Sequence, residues 1–312
     1  MITIDQVKRI LLLGAGTMGR QIGLQCARFG YEVRIYDVVP EALAAAERQI
    51  AQDAQLLVAE GLLDQTNVAQ TLARISYTDD PAQAADEADL LSESLPEQAR
   101  LKGQVLGQFN ALCPERTIFT TNSSTLVPSQ FAAASGRPDR LCAFHFHQPI
   151  WSANVVDIMP HPGTAAGVVD LLFEFAGRID QIPIFLKKEH PAYVFNTMLD
   201  AVLSSALELA AEDVAAVEEI DRAWMGVTNM PIGPFGIIDL VGVDLTYEIT
   251  LQKTRRVSWI PRAKRIINLL KEKVDQGHLG RKSGKGFYDY PDPAFERPEF
   301  LAPERRRPGT GD

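Results

Sequence analysis

The stretch from Lys8 to Asp37, KRILLLGAGTMGRQIGLQCARFGYEVRIYD, constrains this chain more than any other. Ile10 to Leu13 is an apolar run too short for a helix and bounded by glycine, which reads as a buried parallel strand. Gly14 permits the tight turn out of it, Gly16 lets the backbone approach a pyrophosphate, and Gly19 lets the next helix pack closely on the strand. With Thr17 and Met18 these glycines open a helix whose free N–H groups and positive dipole end suit phosphate. A second strand, Tyr31 to Tyr36, ends in Asp37, placed to accept hydrogen bonds from ribose hydroxyls. No Arg follows it to receive a 2′-phosphate, so NAD is expected rather than NADP. A glycine-rich turn alone can be a plain connection. Here strand, glycines, helix, strand and acid come in the order that a dinucleotide site requires.

Strand and helix signals go on alternating to about residue 186. The helical stretches are Pro40 to Glu60, with Gly61 as a C-cap, Glu97 to Leu112, and Thr164 to Gly177. Between them, 74–77, 89–93, 117–120, 141–145, 155–159 and 181–186 read as strands. The expected class is α/β, a Rossmann-type doubly wound parallel sheet over residues 1–187. From Pro191 the period turns helical, over 192–216, 240–253 and 263–275, which predicts an all-helical second domain over 188–312. Its apolar content exceeds what a lone bundle hides, so a homodimer is expected. The proline-rich tail beyond Asp289, with Arg305 to Arg307, reads as a loosely held terminus without function.

At 312 residues each half can bury its own core. The net charge of −9 argues against nucleic acid or an anionic membrane as partner, and no apolar stretch approaches membrane-spanning length. MITIDQVKR runs directly into the first strand, so no signal peptide is expected. Cys26, Cys113 and Cys142 show no metal or redox spacing, so reduced thiols, a cytoplasmic location and no metal are expected.

Ligands of such sheets bind beyond the carboxyl ends of the strands, and three segments arrive there. Asn122 to Thr125 is a polar knot just past a strand, in its plainest reading a helix cap. In Phe144 to Gln148 period-two alternation puts His145 and His147 on one face and the phenylalanines on the other. Asp157 follows two valines of another strand. Alcohol oxidation needs a base for the hydroxyl proton as hydride leaves, and imidazole has nearly the right pKa. Such a base needs a carboxylate to fix its tautomer, a part for which Asp157 is the candidate.

These residues resemble the L-3-hydroxyacyl-CoA dehydrogenase family. The likeness spans nearly the whole chain: GAGTMG with Asp37, ESLPE at 93–97, TNSST at 121–125, HFHQP at 145–149, PIGPFGIIDLVGVD at 231–244 and LGRKSGKGFYDY at 279–290. The resemblance implies the fold read above, a dimer formed through the helical domain, and a catalytic His at His145 with an acidic partner at Asp157. It implies Ser124 and Asn196 as substrate contacts, and NAD contacts at Asp37, Glu97, Lys102, Ser124 and Lys282. Each has a plainer reading: Glu97 as a first-turn acid, the lysines as solvated charges, Asn196 as a backbone partner.

The sequence also departs from the family. Asp157 replaces a Glu and is one methylene shorter, so contact with His145 is expected to need a small backbone shift or a bridging water. Gln148 replaces an Asn, and His147 an aromatic. Asp53 and Glu60 stand where relatives carry a Ser and a Lys that contact CoA, and an acid there would repel CoA phosphate by about 1 kcal/mol per contact in water. The leading expectation is an NAD-dependent dehydrogenase of a 3-hydroxyacyl-CoA, such as 3-hydroxybutyryl-CoA. A dehydrogenase of a free hydroxy acid, such as a sugar acid, is the rival within the class. A non-catalytic NAD-binding protein is the rival outside it.

Overall fold

The computed structural model describes residues 2–254 and 260–302, in two compact units, residues 1–195 and 196–312. In the first, β1 (Arg9–Leu13), α1 (Thr17–Arg28), β2 (Glu32–Tyr36) and α2 (Pro40–Ala59) form the glycine-loop motif and its sequel. Then come α3 (Val68–Ala73), β3 (Ile75–Thr78), α4 (Pro81–Ala85), β4 (Leu90–Glu93), α5 (Ala99–Leu112), β5 (Ile118–Thr121) and β6 (Leu141–Phe146). The unit closes with β7 (Val155–Pro160), α6 (Ala166–Arg178) and β8 (Ile182–Phe185).

The eight strands lie in the order β3-β2-β1-β4-β5-β6-β7-β8. Side chains of β1 show why the sheet is covered on both faces. Ile10 and Leu12 enter one core with Ile22, Ile50 and Phe175, while Leu11 and Leu13 enter another with Leu91, Leu106 and Phe119. A strand buried on both sides must be apolar at every position, hence the unbroken run. All neighbouring strands are parallel except β6 and β7, which pair antiparallel. Only residues 147–154 join those two, too few for the crossover helix that a parallel partner needs.

The second unit holds α7 (Phe195–Ala211, begun by the last residue of the first), α8 (Val217–Thr228), α9 (Pro234–Val241), α10 (Val243–Thr254) and α11 (Pro261–Asp275). The expected single helix over 192–216 is shorter, since the chain turns at Asp213 in a left-handed conformation before α8. Two buried acids organise the core around Phe235, Ile238 and Leu270. Asp221 accepts bonds from the N–H groups of Phe235 and Gly236 and from the Tyr288 hydroxyl. Asp239 accepts from the N–H groups of Phe287 and Tyr288 and from the Tyr290 hydroxyl. Much of the PIGPFGIIDL and GKGFYDY patterns is thereby structural, with the Asp239 carboxylate of the first satisfying backbone of the second and Asp221 of α8 satisfying backbone of the first.

The expectation of a loose tail beyond Asp289 is corrected for residues 290–302. Phe295 and Phe300 are buried in the core of this unit, and apolar burial of two aromatic rings fixes the segment. Arg305 to Arg307 lie outside the described residues. Cys26, Cys113 and Cys142 are buried free thiols, and burial pushes Cys26 up to about 12 and Cys113 up to about 11. Among the described residues no helix is long and apolar enough to cross a membrane.

Candidate active site

The glycine loop fits a dinucleotide on its own geometry. Gly14 has φ +105°, and a Cβ there would meet the Ser94 carbonyl oxygen at 2.8 Å, so the turn under the helix admits no side chain. A Cβ on Gly19 would lie 1.9 Å from the Gly14 carbonyl oxygen. At Gly16, by contrast, a Cβ would meet nothing within 4 Å, and no side chain caps the N-terminus of α1. Open space over unclaimed N–H groups is what a pyrophosphate needs. The Asp37 carboxylate accepts from the N–H groups of Ala15 (2.9 Å) and Val39 (3.0 Å), which ties the end of β2 to the loop.

The three polar segments meet as expected, and one sheet register explains how. In the β6–β7 pair His145 lies directly opposite Asp157. Opposed residues of an antiparallel pair bring their Cβ atoms within about 5 Å, so even the shorter acid reaches the ring. His145 Nδ1 lies 3.1 Å from Asp157 Oδ2, a direct contact that needs no bridging water. Nδ1–H donating to the carboxylate leaves Nε2 as the acceptor end, 3.1 Å from Ser124 Oγ. His147, on the same face just past β6, places Nε2 2.9 Å from the same Asp157 oxygen.

Burial pulls the pKa of His145 down, the hydrogen bond and charge of Asp157 oppose this, and His147 adds to the lowering; the result is below the ordinary histidine value. For Asp157, burial pushes up, but hydrogen bonds from both imidazoles outweigh it and the carboxyl falls below its usual range. An ionised acid beside a neutral, proton-accepting imidazole follows.

Glu97 holds the polar knot. Its carboxylate accepts from Ser123 Oγ and from the N–H groups of Ser124 (2.7 Å) and Thr125 (3.1 Å). Burial raises its pKa, but these bonds and the nearby Lys102 charge hold it below the ordinary carboxylate range. Lys102 is only 1% exposed. Its ammonium bonds Glu93 Oε1 (2.6 Å) and the Leu95 carbonyl (3.0 Å) and lies 3.3 Å from Glu97. Glu93, fully buried at the end of β4, also accepts from the Thr121 hydroxyl at 2.6 Å. Asn122 Oδ1 accepts from the Phe146 N–H, joining the knot to β6.

Sequence reasoning missed Tyr193. Its ring stacks on His145 with centroids 4.3 Å apart and planes within 4°, and its hydroxyl donates to the Ser123 carbonyl at 2.7 Å. Tyr193 and Ala192 both have left-handed backbone, which turns the ring back over the imidazole. An aromatic ahead of Asn196 is the only signal of it in the sequence. Asn196 and Lys282 belong to the second unit, where Asn196 follows the first residue of α7 and Lys282 is paired with Asp244 at 2.6 Å.

A family model described as 3-hydroxyacyl-CoA dehydrogenase, NAD binding domain, matches residues 9–190, and one described as its C-terminal domain matches 193–290. The chain belongs to the 3-hydroxyacyl-CoA dehydrogenase family. Members of this family are NAD-dependent oxidoreductases, and NAD is the cofactor that the domain match indicates. The "Probable 3-hydroxybutyryl-CoA dehydrogenase" of Bacillus subtilis (strain 168) is 30% identical over 289 residues, covering 91% of this chain and 98% of that protein. The structure titled "Substrate-directed dual catalysis of dicarbonyl compounds by diketoreductase" is 38% identical with a TM-score of 0.84, covering 93% of this chain and all of that one. The 5-formyl-3-hydroxy-2-methylpyridine 4-carboxylate 5-dehydrogenase of Mesorhizobium japonicum is 28% identical, covering 96% of each protein.

Proposed function

We propose that this dehydrogenase interconverts a 3-hydroxyacyl-CoA, 3-hydroxybutyryl-CoA being the simplest case, and the 3-oxoacyl-CoA, with His145 as general base. The observation that carries the reading is the chain Ser124 Oγ, His145 Nε2, His145 Nδ1, Asp157 Oδ2, with both links at 3.1 Å. In oxidation the Nε2 lone pair takes the 3-hydroxyl proton, and Asp157 stabilises the imidazolium formed while holding its orientation. In reduction the same imidazolium returns the proton. Ser124 bonds the substrate oxygen beside Nε2, and Asn196 is assigned a second substrate contact on the family resemblance. Burial of His145 and its cover by Tyr193 exclude water from one face of the ring.

Bound NAD supplies the hydride acceptor at substrate C3. Gly14, Gly16, Thr17, Met18 and Gly19 would hold its pyrophosphate, Asp37 its ribose, and Ser124 and Glu97 the region near the nicotinamide. Lys102, buried against Glu93, acts through Glu97. Lys282 is carried as a further contact on the resemblance. We also read the chain as a cytoplasmic homodimer, supported by apolar side chains exposed on the second unit, among them Leu240, Leu245 and Ile249.

One observation favours a second reading, a substrate that is not a CoA thioester. From Pro40 to Glu60 the charged residues are Glu41, Glu47, Arg48, Asp53 and Glu60, an acidic set with a single cation. The likeness to a diketoreductase acting on dicarbonyl compounds points the same way. Comparing acetoacetyl-CoA with free acetoacetate as oxidants of NADH separates the readings. Preference for the thioester supports the first, and preference for the free acid replaces it with the second.

A further inference from the structure

Where family resemblance leads one to expect an aromatic, this chain places His147, and the structure gives it a definite partner. Its Nε2 lies 2.9 Å from Asp157 Oδ2, the oxygen that also takes the His145 bond at 3.1 Å. The imidazoles meet edge to face with centroids 4.9 Å apart, and the Phe195 ring sits edge-on to His147 at 5.5 Å. Asp157 is 1% exposed and His145 4%, whereas the His147 side chain keeps 12%. One carboxylate oxygen thus serves two ring N–H donors, and one of those rings reaches solvent.

Sharing has a chemical consequence. An oxygen accepting two bonds offers less to each donor than an oxygen accepting one, so its hold on an imidazolium at His145 is weaker. A proton on His147 would add a like charge close to that imidazolium. The other groups facing His145 act differently: Glu97 and Asp157 favour its charged form, Ser124 Oγ accepts or donates at Nε2, and Tyr193 covers a face of the ring. Among these groups His147 alone opposes Asp157.

Taking His145 as the base, which rests on the function proposed above, we propose that His147 is a positioning residue. By dividing Asp157 Oδ2 it keeps the His145 imidazole in its proton-accepting form in more acidic solution than an aromatic at residue 147 would allow.

The test uses the full chain with His147→Phe, which removes donor and charge, and His147→Gln, which keeps an N–H donor but cannot become charged. Imidazole ¹⁵N resonances titrated in the protein without substrate report His145 directly. The acid limb of kcat/KM for hydroxyacyl oxidation, normalised to its plateau, reports it in turnover. His147→Phe is expected to raise the His145 midpoint and the acid limb together by about one pH unit, and His147→Gln by less. A limb and midpoint that stay in place, or move down, while activity or stability falls would overturn the proposal and leave His147 a packing residue. Should His147→Phe not fold, the upward shift in His147→Gln decides alone. If no hydroxyacyl substrate turns over, the resonance titration of His145 still decides the part assigned to His147, and only the assigned reaction fails.

Discussion

Replacing Asp157 by Asn keeps the shape of the cluster and removes its charge. Asn keeps one neutral acceptor oxygen, which can stand where both imidazoles now converge on Asp157 Oδ2 but carries no charge to hold an imidazolium. The lost attraction can be worked from geometry. With Nδ1 and Oδ2 at 3.1 Å the charge centres of an imidazolium and carboxylate stand about 4 Å apart, worth about 4 kcal/mol at an effective dielectric constant of about 20. The imidazolium forms as the proton leaves the substrate, so kcat/KM for oxidation should fall by about a thousandfold. The residual activity carries a second signature. Asp157 raises the pKa of His145 against the lowering effect of burial; without that carboxylate only the more distant charge of Glu97 still opposes burial, and the acid limb moves further down. NADH absorbance followed across a pH series measures both. Activity within tenfold of the parent, or an acid limb displaced upward, would refute the reasoning.

Asp157→Glu inserts a methylene between opposed residues already in direct contact, and kcat should drop about tenfold through overpacking of a site that is 1% exposed, read by steady-state kinetics. Gly16→Ala should leave the melting curve nearly unchanged, because its Cβ meets nothing within 4 Å, yet weaken NAD at least tenfold (about 1.4 kcal/mol) in a binding titration. Asp239→Ala strands the N–H groups of Phe287 and Tyr288 and the Tyr290 hydroxyl, and should destabilise the second unit by about 3 kcal/mol in urea unfolding.

The parts legible in the sequence are those fixed by local pattern. The apolar run of β1 feeds two cores through alternate residues, and the placing of Gly14 and Gly19 follows from close backbone approach that no other residue type allows there, while Gly16 leaves open space above the helix N-terminus. Period two likewise puts His145 of β6 and His147 just past it on one face. Which acid they meet depends on β7 running antiparallel, a consequence of loop length and strand order rather than of any local signal. The burial of Lys102 was equally hidden, since its two acidic partners lie at the end of β4 and just past it and become neighbours only when α5 packs. Tyr193 reaches His145 through two successive left-handed residues, neither of them glycine, so no turn signal marked the position. In the second unit α9 was overlooked because it is 8 residues long between Gly233 and Gly242, too short for a helical period to show.

The proposed chemistry depends on one arrangement, an imidazole whose acceptor nitrogen faces Ser124 while Asp157 fixes its other end. His145→Gln, assayed alongside its affinity for NAD, tests that arrangement most directly. The account predicts a loss of about a thousandfold or more in kcat with NAD binding unaltered, because the side chain removed handles the proton rather than the dinucleotide. Turnover at the parent rate by a variant that binds NAD normally would contradict it.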